Sequence, residues 1–221
     1  MSKIKSLYNL SIIKTLRFNF HYFSFRDAIK LPVLVTKKVH LRNLKGEVKI
    51  NGRVRFGMIR LGFDTLGIID YPRERAVWEV FGKVIFEGSA SLGAAVKISV
   101  LETGIFRMGD HFTVTGLSRF IVADTIEIGK ECLISWDVQI MDTDFHDITD
   151  KYGNIMNPTS PIKIGDHVWI GCKTLVLKGT EIPSNVIIGA DSLVSSHLTE
   201  SNAIYGGKPL KPLKREIEWI E

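Results

Sequence analysis

The sequence contains few cysteines and lacks a long apolar run, and each absence excludes a class of protein. Only two of its 221 residues are cysteines, Cys132 and Cys172, which is too few for a disulfide-stabilised scaffold and is typical of a reducing compartment. No apolar run is long enough to cross a bilayer. The apolar stretch near the N-terminus is broken by Lys14 and Arg17 and lacks the small-residue cleavage site of a signal peptide. We therefore expect a cytoplasmic protein.

Several common catalytic and ligand-binding motifs are also missing. The sequence has no Cys/His spacing of a zinc site and no Gly-x-Ser-x-Gly nucleophile elbow. Gly206-Gly207-Lys208 lacks the spacing and the following Ser or Thr of a phosphate-binding P-loop. Charge is mildly unbalanced, since 29 Lys and Arg oppose 24 Asp and Glu for a net charge of +5. This balance favours anionic partners: a phosphorylated cofactor, a lipid surface or nucleic acid.

The feature that dominates the chain is a repeat of six residues. Between residues 164 and 199, consecutive hexads stay in register, and each opens on a branched aliphatic residue. These residues are Ile164, Ile170, Val176, Ile182, Ile188 and Val194. Neither a helix nor an ordinary hairpin sustains this period, whereas a β-coil with short flat sides sends every hexad aliphatic to one interior line. The repeat therefore predicts an all-β fold built as a β-coil.

The regularity of the repeat divides the chain into segments. We predict an amphipathic or capping segment at residues 1–47, the coil at residues 48–200, and a basic exit strand with a short helix at residues 201–221, the helix lying at about Leu213 to Ile220. The early hexads are less regular than the late ones, as terminal repeats often are.

A polar stretch interrupts the coil. The hexads stop at Ile140 and resume at Ile164, and the residues between them include Gly153, Pro158 and Pro161. Such residues cannot form the wall of the coil, so we predict an excursion loop at about 142–163. Long loops on a rigid scaffold usually carry function.

The N-terminal segment combines basic and apolar side chains. Within residues 3–30, lysines and arginines alternate with leucine, isoleucine and aromatic residues, and Leu7, Leu10, Ile13 and Leu16 follow the spacing of an amphipathic helix. A basic amphipathic helix can lie on an anionic membrane surface. It can equally close the open end of the coil, which every solenoid requires. The sequence leaves both interpretations open.

His146 is the strongest candidate for chemistry. It lies at the start of the excursion among Asp142, Asp144 and Asp147. An imidazole whose second nitrogen is held by a carboxylate is a suitable general base for a hydroxyl, and Asp144 is our candidate for that carboxylate because of its proximity. Two other interpretations stay open. One is an exposed loop histidine among solvated acids, and the other is a divalent-metal site of Asp142, Asp144 and His146, for which no further ligand is evident.

Two tryptophans and a basic tail are further candidates. Trp169 and Trp136 lie in hexads on either side of the excursion, where each can form the wall of a ligand site or pack against a neighbouring chain. Lys208, Lys211 and Lys214 follow the last coils and can pair with phosphates or remain as a solvated terminus.

At this point the chain resembles the hexapeptide-repeat acyltransferases. The matching segments are Ile134-Ser-Trp-Asp through the loop histidine, Ile164-Gly-Asp-His-Val-Trp-Ile-Gly, Ile188-Gly-Ala-Asp-Ser and Gly207-Lys-Pro-Leu-Lys. The resemblance covers nearly the whole chain and is closest to the O-acetyltransferases of bacterial polysaccharide synthesis. It implies a left-handed parallel β-helix assembled as a homotrimer.

The resemblance also implies roles for individual residues. His146 matches the general base, and Trp169 matches a tryptophan that lines the tunnel for the acceptor and the pantetheine arm. The residues implied to meet acetyl-CoA along its arm and phosphates are Cys172, Ala190, Ser195, Lys211 and Lys214, with Trp169 beside them. Thr115 stands where related sugar acetyltransferases place an acceptor-binding asparagine, and we add Trp136 and Asp142 to the expected acceptor site.

We therefore expect an acetyl-CoA-dependent O-acetyltransferase that acts on a sugar hydroxyl of a cell-surface polysaccharide precursor. The expected partners are a sugar or glycan acceptor and two further copies of the chain, with no metal and no nucleic acid, and residues 3–30 are the candidate for contact with the inner face of a membrane. Three alternatives stay open: an N-acetyltransferase acting on an amino sugar, a γ-type carbonic anhydrase with zinc held by histidines of two subunits, and a non-catalytic β-solenoid.

Overall fold

The strands of this protein wind into a parallel coil with three flat faces. The computed structural model describes residues 9–63, 66–70 and 73–220. Two helices come first, α1 (Ile12–Tyr22) and α2 (Phe25–Ala28), and strands follow them. Neighbouring strands of the same face pair in parallel, except for the last strand of the chain. The hexads predict the parallel pairing because each hexad contributes one short strand and one turn.

Each face is a ladder of stacked strands. The first face contains β1 (Val33–Val35), β4 (Ile59–Phe63), β7 (Ala90–Gly93), β10 (Phe112–Val114), β13 (Leu133–Ile134), β16 (Trp169–Ile170), β19 (Val186–Ile188), β21 (Ala203–Gly206) and β22 (Lys211–Arg215). The second contains β2 (Val39–Asn43), β5 (Ala76–Val80), β8 (Lys97–Val100), β11 (Arg119–Val122), β14 (Gln139–Met141), β17 (Leu175–Leu177) and β20 (Leu193–Val194). The third contains β3 (Glu47–Ile50), β6 (Lys83–Phe86), β9 (Ile105–Met108), β12 (Thr125–Ile128), β15 (Ile162–Ile164) and β18 (Glu181–Ile182).

The chain turns a corner between successive faces. We name the corner between the first and second faces the first edge, that between the second and third faces the second edge, and that between the third and first faces the third edge. Corner residues at the first and third edges take positive φ angles, among them Asp137 (56°), Asn185 (59°) and Asp191 (55°). Asn and Asp are the non-glycine residues that tolerate this region best, so the corners suit the polar residues that interrupt the hexads.

The core is a set of aliphatic columns inside the coil. Residues 18 positions apart pair on the same face: Ile164 with Ile182, Ile170 with Ile188, and Val176 with Val194. These six opening residues are at most 4% exposed. Full burial of such a side chain contributes about 1.5–3 kcal/mol to stability, so the columns are the main stabilising element of the coil.

Small hydroxyl residues occupy the tight corners inside the wall. Thr174, Thr180 and Ser192 are at most 1% exposed. Their hydroxyls donate to the carbonyls of Gly189, Val194 and Gly189, respectively. Because a buried hydroxyl needs a partner, these bonds explain why the fifth position of the hexad accepts Thr or Ser as well as Val.

Helix α1 closes the open end of the coil. The free edge of β1 would expose unpaired backbone groups, and the side chains of α1 satisfy them. Asn19 accepts from the Val33 amide (3.1 Å) and donates to the Val33 carbonyl (2.7 Å), and the Thr15 hydroxyl accepts from the Val35 amide (3.0 Å). Residues of α1 thus lie against the free edge of β1, as the lid interpretation expects, whereas Leu7 lies outside the described residues.

Two segment boundaries differ from the expectation. The coil begins at β1, before the predicted start at residue 48. At the other end the predicted helix at Leu213 to Ile220 is wrong. Residues Lys211–Arg215 instead form β22, which pairs antiparallel with β21, and no helix follows within the described residues. The pairing provides hydrogen-bond partners for the backbone groups of this Pro-containing segment. Further along the chain, the Trp219 ring stacks on the His167 ring with their centroids 4.2 Å apart.

We expect Asn19→Ala to lower the free energy of unfolding by about 2–5 kcal/mol, because it leaves the buried amide and carbonyl of Val33 without partners. Chemical denaturation measures the change. The control is Arg17→Ala on the exposed side of the same helix, which should shift stability by less than about 0.5 kcal/mol. Equal stability of the two variants would contradict the capping role of Asn19.

Candidate active site on the excursion loop

The excursion leaves the coil at the second edge, between β14 and β15. Its first residue, Asp142, is fully buried and accepts hydrogen bonds from the backbone amides of Ala123 (2.7 Å) and Asp124 (3.0 Å). Burial raises the pKa of this carboxyl. Asp142 therefore joins the base of the loop to the preceding turn of the coil, and its enclosed carboxylate argues against the predicted contact with a substrate.

Lys178 holds the excursion against the next turn of the coil. Its ammonium donates to Asp144 Oδ2 (2.6 Å) and to the carbonyls of Asn157 (2.7 Å) and Pro158 (3.0 Å). Asn157 in turn donates to Asp144 Oδ2 (2.9 Å). The hydrogen bond from Lys178 holds the pKa of Asp144 below its usual value, so this contact persists at neutral pH and is lost only as the pH falls through that lowered value.

His146 lies exposed on the loop that these contacts hold. The backbone carbonyl of His146 accepts a hydrogen bond from the side-chain amide of Asn157 (2.9 Å). Within the described residues its imidazole has no hydrogen-bond partner, and the oxygen of Asp144 that makes hydrogen bonds is taken by Lys178 and Asn157. Asp144 thus fixes the conformation of the loop. It makes no contact with the imidazole of His146, which we expected it to orient.

The residue before His146 has a strained backbone. Phe145 has a φ of 63°, a conformation that aromatic residues rarely adopt and that costs about 1–3 kcal/mol. Its amide donates to the Thr143 hydroxyl (3.0 Å), and its ring is 59% exposed. Strained residues of this kind cluster at functional sites. The rest of the excursion also exposes large apolar side chains, namely Ile148, Tyr152, Ile155 and Met156.

The two tryptophans lie on the first face and at the first edge. Trp169 in β16 is 37% exposed, donates to the Ser135 hydroxyl (3.1 Å) and lies 6.0 Å from the Trp219 ring. Trp136 is partly buried at the first edge, where its carbonyl accepts from the Lys173 amide. Neither side chain lies on the edge that bears His146.

Cys172 and Ala190 stack at the same first edge. The carbonyl of Cys172 accepts from the amide of Asp191, the residue after Ala190 (2.8 Å). A Cβ on the neighbouring Gly171 would lie only 2.6 Å from the Ala190 amide nitrogen, so only glycine permits this close stacking. Cys172 and Ala190 therefore form a narrow strip of surface with only small side chains, which we name the shelf. Ser195, by contrast, follows β20 and lies at the second edge, apart from this shelf.

Thr115 also belongs to the first edge. It follows β10, and its amide donates to the Ile134 carbonyl (2.9 Å). Its hydroxyl oxygen is buried and has no hydrogen-bond partner among the described residues. Lys211 and Lys214 lie on β22, where both are exposed, and neither forms an ion pair with a described residue.

The candidate residues therefore form two groups at different edges. One group, with His146, lies at the second edge, and the other, with Trp136, Cys172 and Ala190, lies at the first edge. A hexad of six residues, such as Cys172 to Lys178, separates the edges, which corresponds to roughly 20 Å of extended chain. Sequence reasoning missed Lys178 and Asn157. The signal for Lys178 is its position at the corner directly above the start of the excursion, which follows from the pairing of Met141 with Leu177.

Comparisons with known proteins agree with the fold and indicate a chemistry. No protein-family model matches the sequence. An uncharacterised 24.8 kDa protein from the cps region of Klebsiella pneumoniae is 25% identical over 201 residues, which cover 90% of this chain and 86% of that protein. A putative lipopolysaccharide biosynthesis O-acetyl transferase of Escherichia coli strain K12 is 26% identical over 145 residues, which cover 61% of this chain and 72% of the relative.

A shorter match and a solved structure point in the same direction. The polysialic acid O-acetyltransferase of Neisseria meningitidis is 34% identical over 70 residues, which cover 30% of this chain and 33% of that enzyme. The crystal structure of a polysialic acid-specific acetyltransferase superposes with a TM-score of 0.57 at 18% identity, covering 84% of this chain and 90% of that one. The shared fold is a left-handed parallel β-helix.

We expect Lys178→Met to loosen the excursion without unfolding the coil, because it removes three hydrogen bonds that all end on the loop. Hydrogen exchange should become faster for amides between residues 144 and 158, while the midpoint of global unfolding stays nearly unchanged. Lys163→Met, an exposed lysine on β15, is the matched control. Unchanged exchange in the Lys178 variant would show that the loop keeps its conformation by other means.

Proposed function

We propose that this chain is a hexapeptide-repeat acyltransferase and that it transfers an acetyl group from acetyl-CoA to a sugar hydroxyl of a cell-surface polysaccharide precursor. The observation that carries the proposal is the exposed imidazole of His146. The loop that bears it is held by Lys178, and the residue before it, Phe145, has a strained backbone. The names of the two O-acetyltransferase relatives support a polysaccharide-related acceptor.

The proposed reaction is a direct transfer within a ternary complex. An imidazole nitrogen of His146 takes the proton of the acceptor hydroxyl while the hydroxyl oxygen attacks the thioester carbonyl. Backbone N–H groups stabilise the oxyanion that forms. The carbon–sulfur bond then breaks, and the imidazolium returns its proton to the departing thiolate of CoA. Since Asp144 is engaged by Lys178, a main-chain carbonyl or a group of another subunit is the better candidate to orient the ring.

A homotrimer explains why the candidate residues form two groups. In a closed ring of three coils, the second edge of one subunit can face the first edge of the next. His146 of one subunit would then meet Trp169 and the shelf of Cys172 and Ala190 from its neighbour. The exposed apolar side chains of the excursion, such as Tyr152 and Met156, support such a contact because large exposed apolar groups mark interaction surfaces.

The first edge suits the arm and phosphates of acetyl-CoA. The shelf at Cys172 and Ala190 has no bulky side chain in the way of an extended ligand, and Lys211 and Lys214 are exposed cations on the exit strand. Lys208 is engaged with Asp191 (2.6 Å), so it is a weaker candidate. Acetyl-CoA is a cytoplasmic co-substrate, which is the reason to place the reaction there.

The open alternatives differ in what they require of the histidines. A carbonic anhydrase needs several histidines around one metal, but His111 and His167 lie at the third edge, and His167 bonds the Trp219 carbonyl (3.0 Å). His146 lies at the second edge. Transfer to an amino group rather than a hydroxyl uses the same base and the same thioester, so turnover with matched hydroxyl and amino sugars is the measurement that separates those two reactions.

We expect His146→Ala to lower kcat about 10²–10⁴-fold while the affinity for CoA stays largely unchanged, since general-base catalysis contributes about that factor. Acetyl transfer from labelled acetyl-CoA to a sugar acceptor gives kcat, and calorimetry gives the CoA affinity. His111→Ala, which removes an exposed imidazole at the third edge, should retain full activity. Near-normal turnover of the His146 variant would refute the assignment.

We expect Lys211→Gln together with Lys214→Gln to raise the KM for acetyl-CoA roughly tenfold with little change in kcat, because exposed charge-assisted contacts to phosphate are modest in water. The effect should shrink at high salt, where surface charges are screened. Lys130→Gln together with Lys163→Gln removes the same charge from another face. A fall in kcat without a change in KM would assign these lysines to some other role.

A further inference from the structure

The helix that closes the coil buries Thr15, Phe18 and Asn19 and leaves most of its apolar residues exposed. The inward residues Thr15 and Asn19 are at most 3% exposed and bond the free edge of β1. The exposed side carries large apolar residues that continue into α2 and the residue after it. With their exposed fractions, they are Ile12 (68%), Ile13 (80%), Leu16 (41%), Phe20 (46%), Phe25 (73%) and Ile29 (56%). We name this set the outer face.

This arrangement differs from that of an ordinary amphipathic lid. A helix on a protein core usually buries its apolar stripe, but α1 buries one apolar side chain, Phe18, between the two residues that bond the edge of β1, Thr15 and Asn19. The apolar residues are therefore left on the surface, where a patch of this kind marks a site of interaction with a partner or a membrane. None of the helices in the described part of the chain is long and apolar enough to cross a membrane.

Charge identifies the partner. Residues 1–30 contain six Lys and Arg and one Asp, a net charge of +5, which equals the net charge of the whole chain. All other residues together are therefore neutral. The one acid, Asp27, pairs with Lys30 (2.7 Å), while Arg17 and Arg26 lie exposed beside the outer face. An apolar stripe bordered by arginine is the composition that binds anionic lipid.

A second copy of the chain fits the outer face less well. A two-fold contact would place the same patch against itself, so Arg17 and Arg26 of the two copies would be brought together, and Asp27, the acid beside them, is already paired with Lys30. Anionic headgroups instead attract the arginines while the apolar side chains enter the boundary between headgroups and acyl chains.

We infer that the outer face of α1 and α2 docks the protein on an anionic membrane surface. The lid thus serves two ends: its inner side completes the coil, and its outer side holds the molecule against lipid. This assignment concerns binding alone and stands apart from the acetyl transfer proposed above. Its consequence for that activity is that the site would work beside a membrane, where lipid-linked acceptors are found.

Co-sedimentation of the full chain with vesicles tests the inference. We expect binding to vesicles of phosphatidylcholine mixed with phosphatidylglycerol, and little binding to phosphatidylcholine alone. Ile13→Ser should weaken the partition into anionic vesicles roughly tenfold, because it removes a largely exposed apolar side chain from the lipid contact. The matched control is Ile220→Ser, which alters an isoleucine that is even more exposed (95%) and lies near the C-terminus, and this variant should bind normally.

A second pair of variants tests the charge. Arg17→Gln with Arg26→Gln should weaken binding about 30-fold, since each basic residue near the surface contributes about 1 kcal/mol, whereas Lys130→Gln with Lys163→Gln should have little effect. Absence of binding to anionic vesicles by the unaltered protein would overturn the inference. Self-association in the absence of lipid that Ile13→Ser abolishes would also overturn it, because it would assign the outer face to a second copy. Circular dichroism of each variant verifies that the coil is folded.

Discussion

The structure depends on one constraint: an aliphatic side chain must enter the coil at every sixth residue so that columns form on all three faces. The columns provide most of the apolar burial, because each turn of the coil contributes only one short strand to each face. They also align the backbone ladders, because a shift of one residue would turn each strand's inward side chains outward. The corners then have to be tight, which explains the buried hydroxyl residues and the positive φ angles of Asp137 and Asp191.

The same constraint leaves two features that the columns do not use. The ends of a parallel ladder present unpaired backbone groups. On the first face, side chains of α1 bond the first strand and the antiparallel β22 pairs at the other end. The second feature is the excursion. Ile126 still pairs with Ile162 and Ile128 with Ile164 across it, so the ladder keeps its register while the loop extends from the second edge.

Most of the fold follows from the sequence because the repeat is a local signal with a single geometric solution. The hexads predict the columns and the bounds of the excursion almost to the residue. The prediction of a C-terminal helix was wrong because the pairing of Lys211–Arg215 with β21 is a tertiary contact. The local spacing of residues 213–220 cannot reveal such a contact. The start of the coil was placed too late because the hexad spacing is lost within the first turn: Val33 and Val39 are six residues apart, but Val48 on the third face follows nine residues after Val39.

The candidate site was predictable in part, for a related reason. His146 is a candidate from the sequence because a histidine in a polar loop stands apart from the repeat, and its role stays a prediction. Lys178 was missed because it lies within a hexad, and its bonds to Asp144 and Asn157 are visible only when the next turn of the coil is stacked on the loop. Asp142 and Asp144 were expected to act on a substrate or on the imidazole, but both carboxylates hold the loop in place. Acids beside a candidate site are thus as readily explained by the need to fix the loop's conformation as by chemistry. The imidazole of His146 has no hydrogen-bond partner among the described residues, although the loop that bears it is held at its base by Asp142 and along its length by Lys178. In the trimer proposed above, groups of a neighbouring subunit would orient this imidazole.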